Sequence, residues 1–366
     1  MKVLHYIDRW LPLSAGFVDA LVTRSSHPSV VVSRDATVNR DAFPHRPVVS
    51  LGPLSRLGEG RAAGWTRHAV LAAVITAARV KVIHVHFGYA VHDVLPAVRR
   101  TGLPLVLSLH GDDATALPKQ RPGFYDPVAD SVDAVVVPSR WLAERAEELG
   151  FPLGRIHVIP SGVDVGLFTP TPVPEGPPIV AFVGRLVAKK GLATLLEAWE
   201  AVARAVPGSR LHVLGEGPEG HLLAPEVIPA GVELLRPDPQ RRHLQVRDLI
   251  RCATVVTSPS QTSPDGDAES LLLVNLEAQA SGRAVVTTRH GGIPEFVEEG
   301  HTALLVAERS SAELATALIR VLTDRPLATR MGASGPAVAA RFDVRAGAAQ
   351  VDELYDRVVE ESRHGR

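Results

Sequence analysis

Short runs of consecutive apolar residues, rich in Val and Ile, alternate along this chain with longer segments whose apolar positions recur at helical spacing. KVLHYI, SVVVS, VIHVHF, LVLSLH, AVVVPS and IHVIP all fall before residue 161. Runs that are apolar throughout predict strands covered on both faces, and the helical segments between them predict crossovers, hence a parallel sheet. The rhythm breaks at FTPTPVPEGPP, residues 168–178, where proline concentrates beyond what a helix or central strand tolerates, so this reads as an interdomain linker. It restarts with PIVAFVG, RLHVLG, VELL, TVVTSPS, AVVTT and ALLV. The expectation is two doubly wound α/β domains, residues 1–168 and 169–344, with VRAGAAQVDELYDRVVEES beginning a terminal helix over about 345–366.

Composition narrows the classes. A length of 366 residues is too great for one comfortable core. A net charge of −1, with both signs mixed along the chain, gives no footprint for nucleic acid. The single cysteine, Cys252 in LIRCATVV, reads as a core residue at the end of a helix entering a strand; with no disulfide framework the chain suits a reducing cytosol. MKVLHYIDRW reads as a short strand ending in charges, without the apolar centre of a signal peptide. AVLAAVITAARV at 69–80 falls short of the ~20 residues of a membrane span. A cytoplasmic protein is expected; peripheral membrane contact stays open, although no basic amphipathic helix indicates it.

Open parallel sheets bind ligands beyond the carboxyl ends of their strands, where strand order reverses, and two such domains facing each other would form a cleft. The informative residues therefore belong just after strands. VGRLVAKKG, 183–191, follows the first strand of the second half. Arg185, with a planar fork, and Lys190, a point charge, suit a diphosphate, whereas Lys189 reads as solvated. In DGDAESLLLVNLEAQASG, 265–282, a polar loop leads into a helix read from Leu271 to Ser281 and stopped by Gly282. Glu277 shares a face with Leu273, Val274, Ala280 and Ser281, an expensive setting for a carboxylate without a partner. A hydroxyl-rich ligand supplies partners. Eight helical residues rise ~12 Å, so Glu269 and Glu277 could grip opposite ends of one extended molecule, with the helix N-terminus attracting phosphate between them.

Rival chemistries have their own residues. LGEGPEG places Gly215, Gly217 and Gly220 after a strand, formally a dinucleotide fingerprint, with Glu233 as the candidate ribose acid of an NAD(P)-dependent oxidoreductase. The motif sits on the second strand of its domain, however, and Pro218 opens only a short helix. Asp265 and Asp267 in PDGD could hold a metal, but a Gly between two Asp reads better as a turn with solvated acids. His84, His86 and His92 could be zinc ligands of a hydrolase; core or cleft-lining histidines fit better, since His92 lies in the following helix.

GRLVAKKG, PSQTSPDGDAES with its two Glu seven residues apart, and HGGIPEFVEEGHTALLV together resemble the retaining glycosyltransferases of family 4, which have the GT-B fold of two facing Rossmann-like domains. VIPSGVDVGLFTP, with Ser161 where the family has Asn, and LHGDD and VIHVHFG extend the resemblance over most of the chain beyond residue 80. The resemblance implies transfer of a sugar from a nucleoside-diphosphate sugar to an acceptor hydroxyl, with no metal or other cofactor. It implies that Arg185 and Lys190 hold the diphosphate, Glu269 a hydroxyl of the moving sugar, and Glu277 the ribose. Amides near Leu271, Leu272 and Leu273 would meet the phosphates, His110 would position the sugar, and Gly16 would let a first-domain loop approach. The first domain would take the acceptor, a small molecule or lipid-linked glycan, on loops around 8–18, 35–62 and 114–124; the terminal helix would return to it. LGEGP becomes a turn behind the donor site. The chain departs from the pattern at Ser270-Leu271-Leu272, where Gly-x-Pro is usual, and at Ala15. A sugar-nucleotide-binding protein that has lost catalysis is the remaining alternative.

Overall fold

The structure, a computed structural model, describes residues 1–10, 15–35, 37, 48–52 and 61–364. The chain forms two compact units: Met1–Ser161 with Val344–Arg366, and Gly162–Asp343. In the first, β1 (Val3–Ile7), α1 (Gly16–Arg24), β2 (Ser29–Ser33), β3 (Val48–Ser50), α2 (Arg61–Ala78), β4 (Val82–His86) and α3 (Val91–Thr101) are followed by β5 (Leu105–Ser108), the short α4 (Asp112–Thr115) and α5 (Leu117–Gln120), β6 (Ala134–Val137), α6 (Arg140–Glu148) and β7 (Ile156–Val158). The strands form a parallel sheet in the order β3-β2-β1-β4-β5-β6-β7. Every residue of β1, β4, β5 and β6 is buried, as the unbroken Val and Ile runs require of strands covered on both faces. β3 was not anticipated: VVS is too short to register as an apolar run.

The second unit contains β8 (Ile179–Val183), α7 (Leu192–Ala205), β9 (Arg210–Leu214), β10 (Val232–Leu235), α8 (Arg242–Cys252), β11 (Val255–Ser258), α9 (Leu273–Ala280), β12 (Ala284–Thr288), β13 (Ala303–Val306), α10 (Ser311–Thr323) and α11 (Arg325–Ala340). Its parallel sheet runs β10-β9-β8-β11-β12-β13. Order reverses between β8 and β11 here, and between β1 and β4 in the first unit. The terminal helix, α12 (Val344–His364), belongs to the first unit: Val351, Leu354, Tyr355, Val358 and Val359, at helical spacing, pack on Val3, Val82, Val106, Ala134 and Val136 of the sheet.

Two expectations need correction. The proline-rich segment 168–178 is not a free linker but part of the second unit, where Phe168 is buried in a core cluster. The guanidinium of Arg283, itself fully buried, donates to the carbonyls of Thr171 and Pro172 at 2.7 and 3.0 Å, to the Thr171 hydroxyl at 2.6 Å, and to the carbonyls of Ile250, Arg251, Ser281 and Gly282. Proline prevents regular structure there, but it does not prevent packing. Cys252 is exposed, not core: α8 turns Val246, Leu249 and Ile250 inward, and residue 252 falls outside that face.

Candidate active site

The loop after β8 and the loop after β11 leave the sheet at the two strands where its order reverses. The first carries Arg185, Lys189 and Lys190, the second Asp267 and Glu269. Lys190 Nζ lies 2.7 Å from Glu269 Oε1, with 17% and 8% of the two side chains exposed. Lys189 is buried, 2.9 Å from an Asp267 oxygen and 3.9 Å from Glu269 Oε1. The reading of Lys189 as solvated, and of Asp267 as a solvated acid, is therefore overturned. Adjacent lysines both turn inward because the 3₁₀ turn Ala188–Lys190 is capped by Gly191 at φ +69°, where a Cβ would lie 2.0 Å from the Pro259 carbonyl oxygen. Asp265 stays on the surface and accepts the Ser263 hydroxyl in a tight turn. Two lysines thus face two carboxylates, and Arg185, on the same loop, is exposed.

Burial, the largest influence on Glu269, pushes its carboxyl up, but Lys190 and Lys189 together hold it below the usual range. Burial lowers Lys190 from its ordinary value, with Glu269 opposing. For Lys189 the two carboxylates outweigh burial and raise it. The pair is an ion pair in which the acid is firmly charged.

The Glu269 backbone is held as well. Its N–H donates to His290 Nε2 at 3.0 Å, and its carbonyl accepts the Gly292 N–H at 3.1 Å. A Cβ on Gly291, which has φ +52°, would lie 2.0 Å from that carbonyl oxygen. The Glu308 carboxylate accepts the His290 Nδ1–H at 2.9 Å. His290 is buried just after β12; Glu308 follows β13.

Helix α9 starts at Leu273, two residues later than expected, because Leu272 is extended at φ −100°, ψ 101°. Leu271 and Leu272 thus lead into the helix, whose first-turn N–H groups have no partner within it. Glu277 is half-buried on α9; burial raises its carboxyl to about 7, opposed by Arg242 at the start of α8. The helix ends as expected, with Gly282 at φ +74°.

Two expected residues belong to the first unit. Gly16 is buried at the start of α1. His110, after β5, lies between the rings of Phe17 and Phe87, centroids 4.7 and 4.6 Å away. Burial lowers it to about 3, so its ring is neutral; its Nε2 has no hydrogen-bond partner among the described residues. Asp113 fixes the turn by accepting the N–H groups of His110 and Gly111 on one oxygen, at 2.8 and 2.9 Å, and that of Gly88 on the other at 2.9 Å. Of the expected acceptor loops, residues 11–14, 36, 38–47 and 53–60 lie outside the described residues.

The rival motifs resolve structurally. Cβ atoms on Gly215 and Gly217 would lie 2.0 Å from the Gly184 oxygen and 2.4 Å from the Leu186 oxygen. Glu216 O accepts the Leu186 N–H at 2.8 Å and Leu186 O accepts the Glu219 N–H at 2.9 Å. These glycines let one turn back the loop bearing Arg185. Glu233 is an exposed strand residue 3.4 Å from His212. His84 and His86 are buried in β4, joined by His5 of β1, which the sequence reading missed; His92 sits apart, 2.9 Å from the Phe124 carbonyl oxygen. His5 Nδ1 and His86 Nε2 are 3.0 Å apart, while His84 bonds to Tyr355 and, at 2.7 Å, to Ser108. Burial lowers His84 and His86 well below their ordinary value. Sequence reading also missed Asp113, His290 and Glu308. Each stands at or just after a strand end, but a lone polar residue there carries no signal of what it touches.

Comparison with known proteins matches residues 16–167 to the family model described as Glycosyltransferase Family 4, and residues 177–324 to the model described as Glycosyl transferases group 1. A GDP-mannose-dependent alpha-(1-6)-phosphatidylinositol monomannoside mannosyltransferase of Mycobacterium tuberculosis is 31% identical over 261 residues, 66% of each chain. A D-inositol 3-phosphate glycosyltransferase of Corynebacterium glutamicum is 35% identical over 224 residues, 56% of this chain and 52% of the relative. The matches thus span about half to two thirds of these curated relatives. Among solved structures, a glycosyltransferase from Rickettsia africae superposes with a TM-score of 0.79 at 17% identity, over 98% of both chains. The Anabaena protein HepE, solved with UDP and glucose, gives 0.77 at 20% identity over 97% of this chain and 99% of that one. Among the described residues, no helix is long and apolar enough to cross a membrane.

Proposed function

From the premise that this chain belongs to the family 4 glycosyltransferases, with the GT-B fold, we propose that it transfers a hexose from a nucleoside diphosphate to an acceptor hydroxyl with retention at the anomeric carbon. The observation that carries the reading is the Lys190–Glu269 pair beside Arg185, at the ends of the two strands where the second sheet reverses order. A diphosphate competes with Glu269 for Lys190, and a sugar hydroxyl competes with Lys190 for Glu269. One donor would satisfy both partners of the broken pair. Arg185, Lys190 and the first-turn amides of α9 then face the charge that develops on the departing diphosphate, the point at which fixed positive groups lower a barrier most.

Glu277 would take the ribose hydroxyls. By the family resemblance, His110, whose ring is neutral, would be a hydrogen-bonding group and Gly16 a point of close approach, both within the first unit. In this reading no side chain acts as a covalent nucleophile, and the leaving phosphate helps to deprotonate the acceptor. Lys190, Arg185 and the amides carry the diphosphate's charge, so turnover is expected to survive EDTA.

One of the named relatives is GDP-mannose-dependent, and a structural neighbour holds UDP and glucose; a GDP- or UDP-linked hexose is the donor class. The phosphatidylinositol monomannoside and D-inositol 3-phosphate in the relatives' names favour a polyol acceptor, free or lipid-linked. A thermal-shift panel of UDP, GDP and dTDP sugars tests the donor class, since a ligand at 100-fold its Kd adds about 2.7 kcal/mol. Anomer-resolved product analysis tests retention. Glu269→Ala or Lys190→Ala turning over at near-normal rates in a folded protein would remove the assignment.

A further inference from the structure

Four adjacent strand ends of the second sheet, in the order β8-β11-β12-β13, carry Lys190, Glu269, His290 and Glu308, and each touches the next. We infer that His290, oriented by Glu308, is a positioning residue that fixes the reach of Glu269 toward the transferred sugar; this rests on the function proposed above. The chemistry sets the direction of each bond. An ionised carboxylate only accepts, so Glu308 takes the proton-bearing Nδ1 of His290 and leaves Nε2 with its lone pair toward the Glu269 N–H. The second Glu308 oxygen accepts the Thr262 N–H at 2.7 Å, and Arg309 donates to the Thr262 carbonyl, so the carboxylate is anchored independently of the histidine. The arrangement also holds Glu269 from the other side, through the Gly292 N–H on its carbonyl. Its side chain, drawn by Lys190 at 2.7 Å and Lys189 at 3.9 Å, therefore cannot shift the backbone toward the lysines. Without His290 a buried N–H loses its acceptor, and the carboxylate loses its fixed distance from the donor's sugar while the diphosphate contacts stay in place.

The test uses the full chain with Glu269→Gln, His290→Ala, His290→Gln and Glu308→Ala. Calorimetry measures UDP and GDP binding, turnover is measured with UDP-glucose and GDP-mannose, and imidazole nitrogen resonances report the His290 tautomer without any donor. The wild-type ring is expected in the Nδ1–H tautomer, and Glu308→Ala is expected to lose it. His290→Ala is expected to lower kcat/KM for the sugar nucleotide about tenfold while nucleoside diphosphate affinity changes less than about twofold, and His290→Gln, whose amide oxygen can accept the Glu269 N–H, to recover most of the loss. An Nε2–H ring in the wild type, an equal loss of UDP or GDP binding and turnover, or no recovery by glutamine would overturn the inference. If Glu269→Gln turns over normally, the functional reading itself fails. If Glu269→Gln is inactive and His290→Ala is not, only the role of His290 fails.

Discussion

Replacing Glu269 by Gln keeps its volume and removes its charge, which leaves Lys190 as an ammonium with only 17% of its side chain exposed. At 2.7 Å and an effective dielectric constant of about 20 the lost attraction is about 6 kcal/mol gross. Desolvation cancels much of that, and stranding one partner of a buried pair costs about 3–5 kcal/mol. A loss of about 3 kcal/mol in a unit of this size lowers Tm by roughly 6–12 °C, measurable by calorimetry on the whole chain. Lys190→Met should cost less, because Lys189 remains 3.9 Å from the Glu269 oxygen. Lys190→Met in the Glu269→Gln background removes the stranded charge and should restore part of the loss, a coupling of about 1 kcal/mol or more. The pH dependence has a defined sign. Burial places the folded-state value of Lys190 below its ordinary 10.5, so the folded chain binds fewer protons there. Removing Glu269, which opposes that lowering, widens the gap, so the variant should gain stability as pH rises toward 10.5. Refutation would be a Glu269→Gln chain within about 0.5 kcal/mol of wild type, or a double variant as unstable as the two singles added.

Glu277, raised to about 7 by burial, is ionised only above neutrality, so UDP or GDP affinity is expected to strengthen from pH 6 to 8. A flat profile by calorimetry would detach Glu277 from nucleotide binding. The sign for stability is opposite: a carboxyl raised on folding stabilises most below its ordinary 4.5 and loses that contribution as pH rises through about 7. Arg283→Ala removes the guanidinium that donates to the carbonyls of Thr171, Pro172 and Arg251. It should cost about 1–3 kcal/mol for each acceptor left unsatisfied away from water and expose residues 168–178 to limited proteolysis; an unchanged digestion pattern would contradict the clamp. Gly215→Ala, with its Cβ 2.0 Å from the Gly184 oxygen, should displace the Arg185 loop. Weakened UDP and GDP binding in a folded chain is the expected result, and unchanged affinity would contradict it.

The strands were legible because a parallel sheet buried on both faces writes itself as unbroken apolar runs, and the second sheet's six strands coincide with the six runs within a residue or two. Lys190 and Glu269 were legible through motif and position, since residues just after strands face the end of the sheet. Lys189 was misread because a solvated lysine and one turned inward by a glycine-capped turn look alike in sequence; the difference is Asp267, 78 residues away. The proline-rich segment was misread as a linker for a related reason. Proline fixes what the backbone cannot do locally, whereas Arg283, 112 residues beyond Thr171, decides where the segment lies. Local pattern thus determined the elements, their order along the chain and most charged residues at the candidate site. Partnership was decided only by the tertiary structure, because contacts between strand ends depend on which strands become neighbours: Lys190, Glu269, His290 and Glu308 form a line only once the sheet has adopted its order.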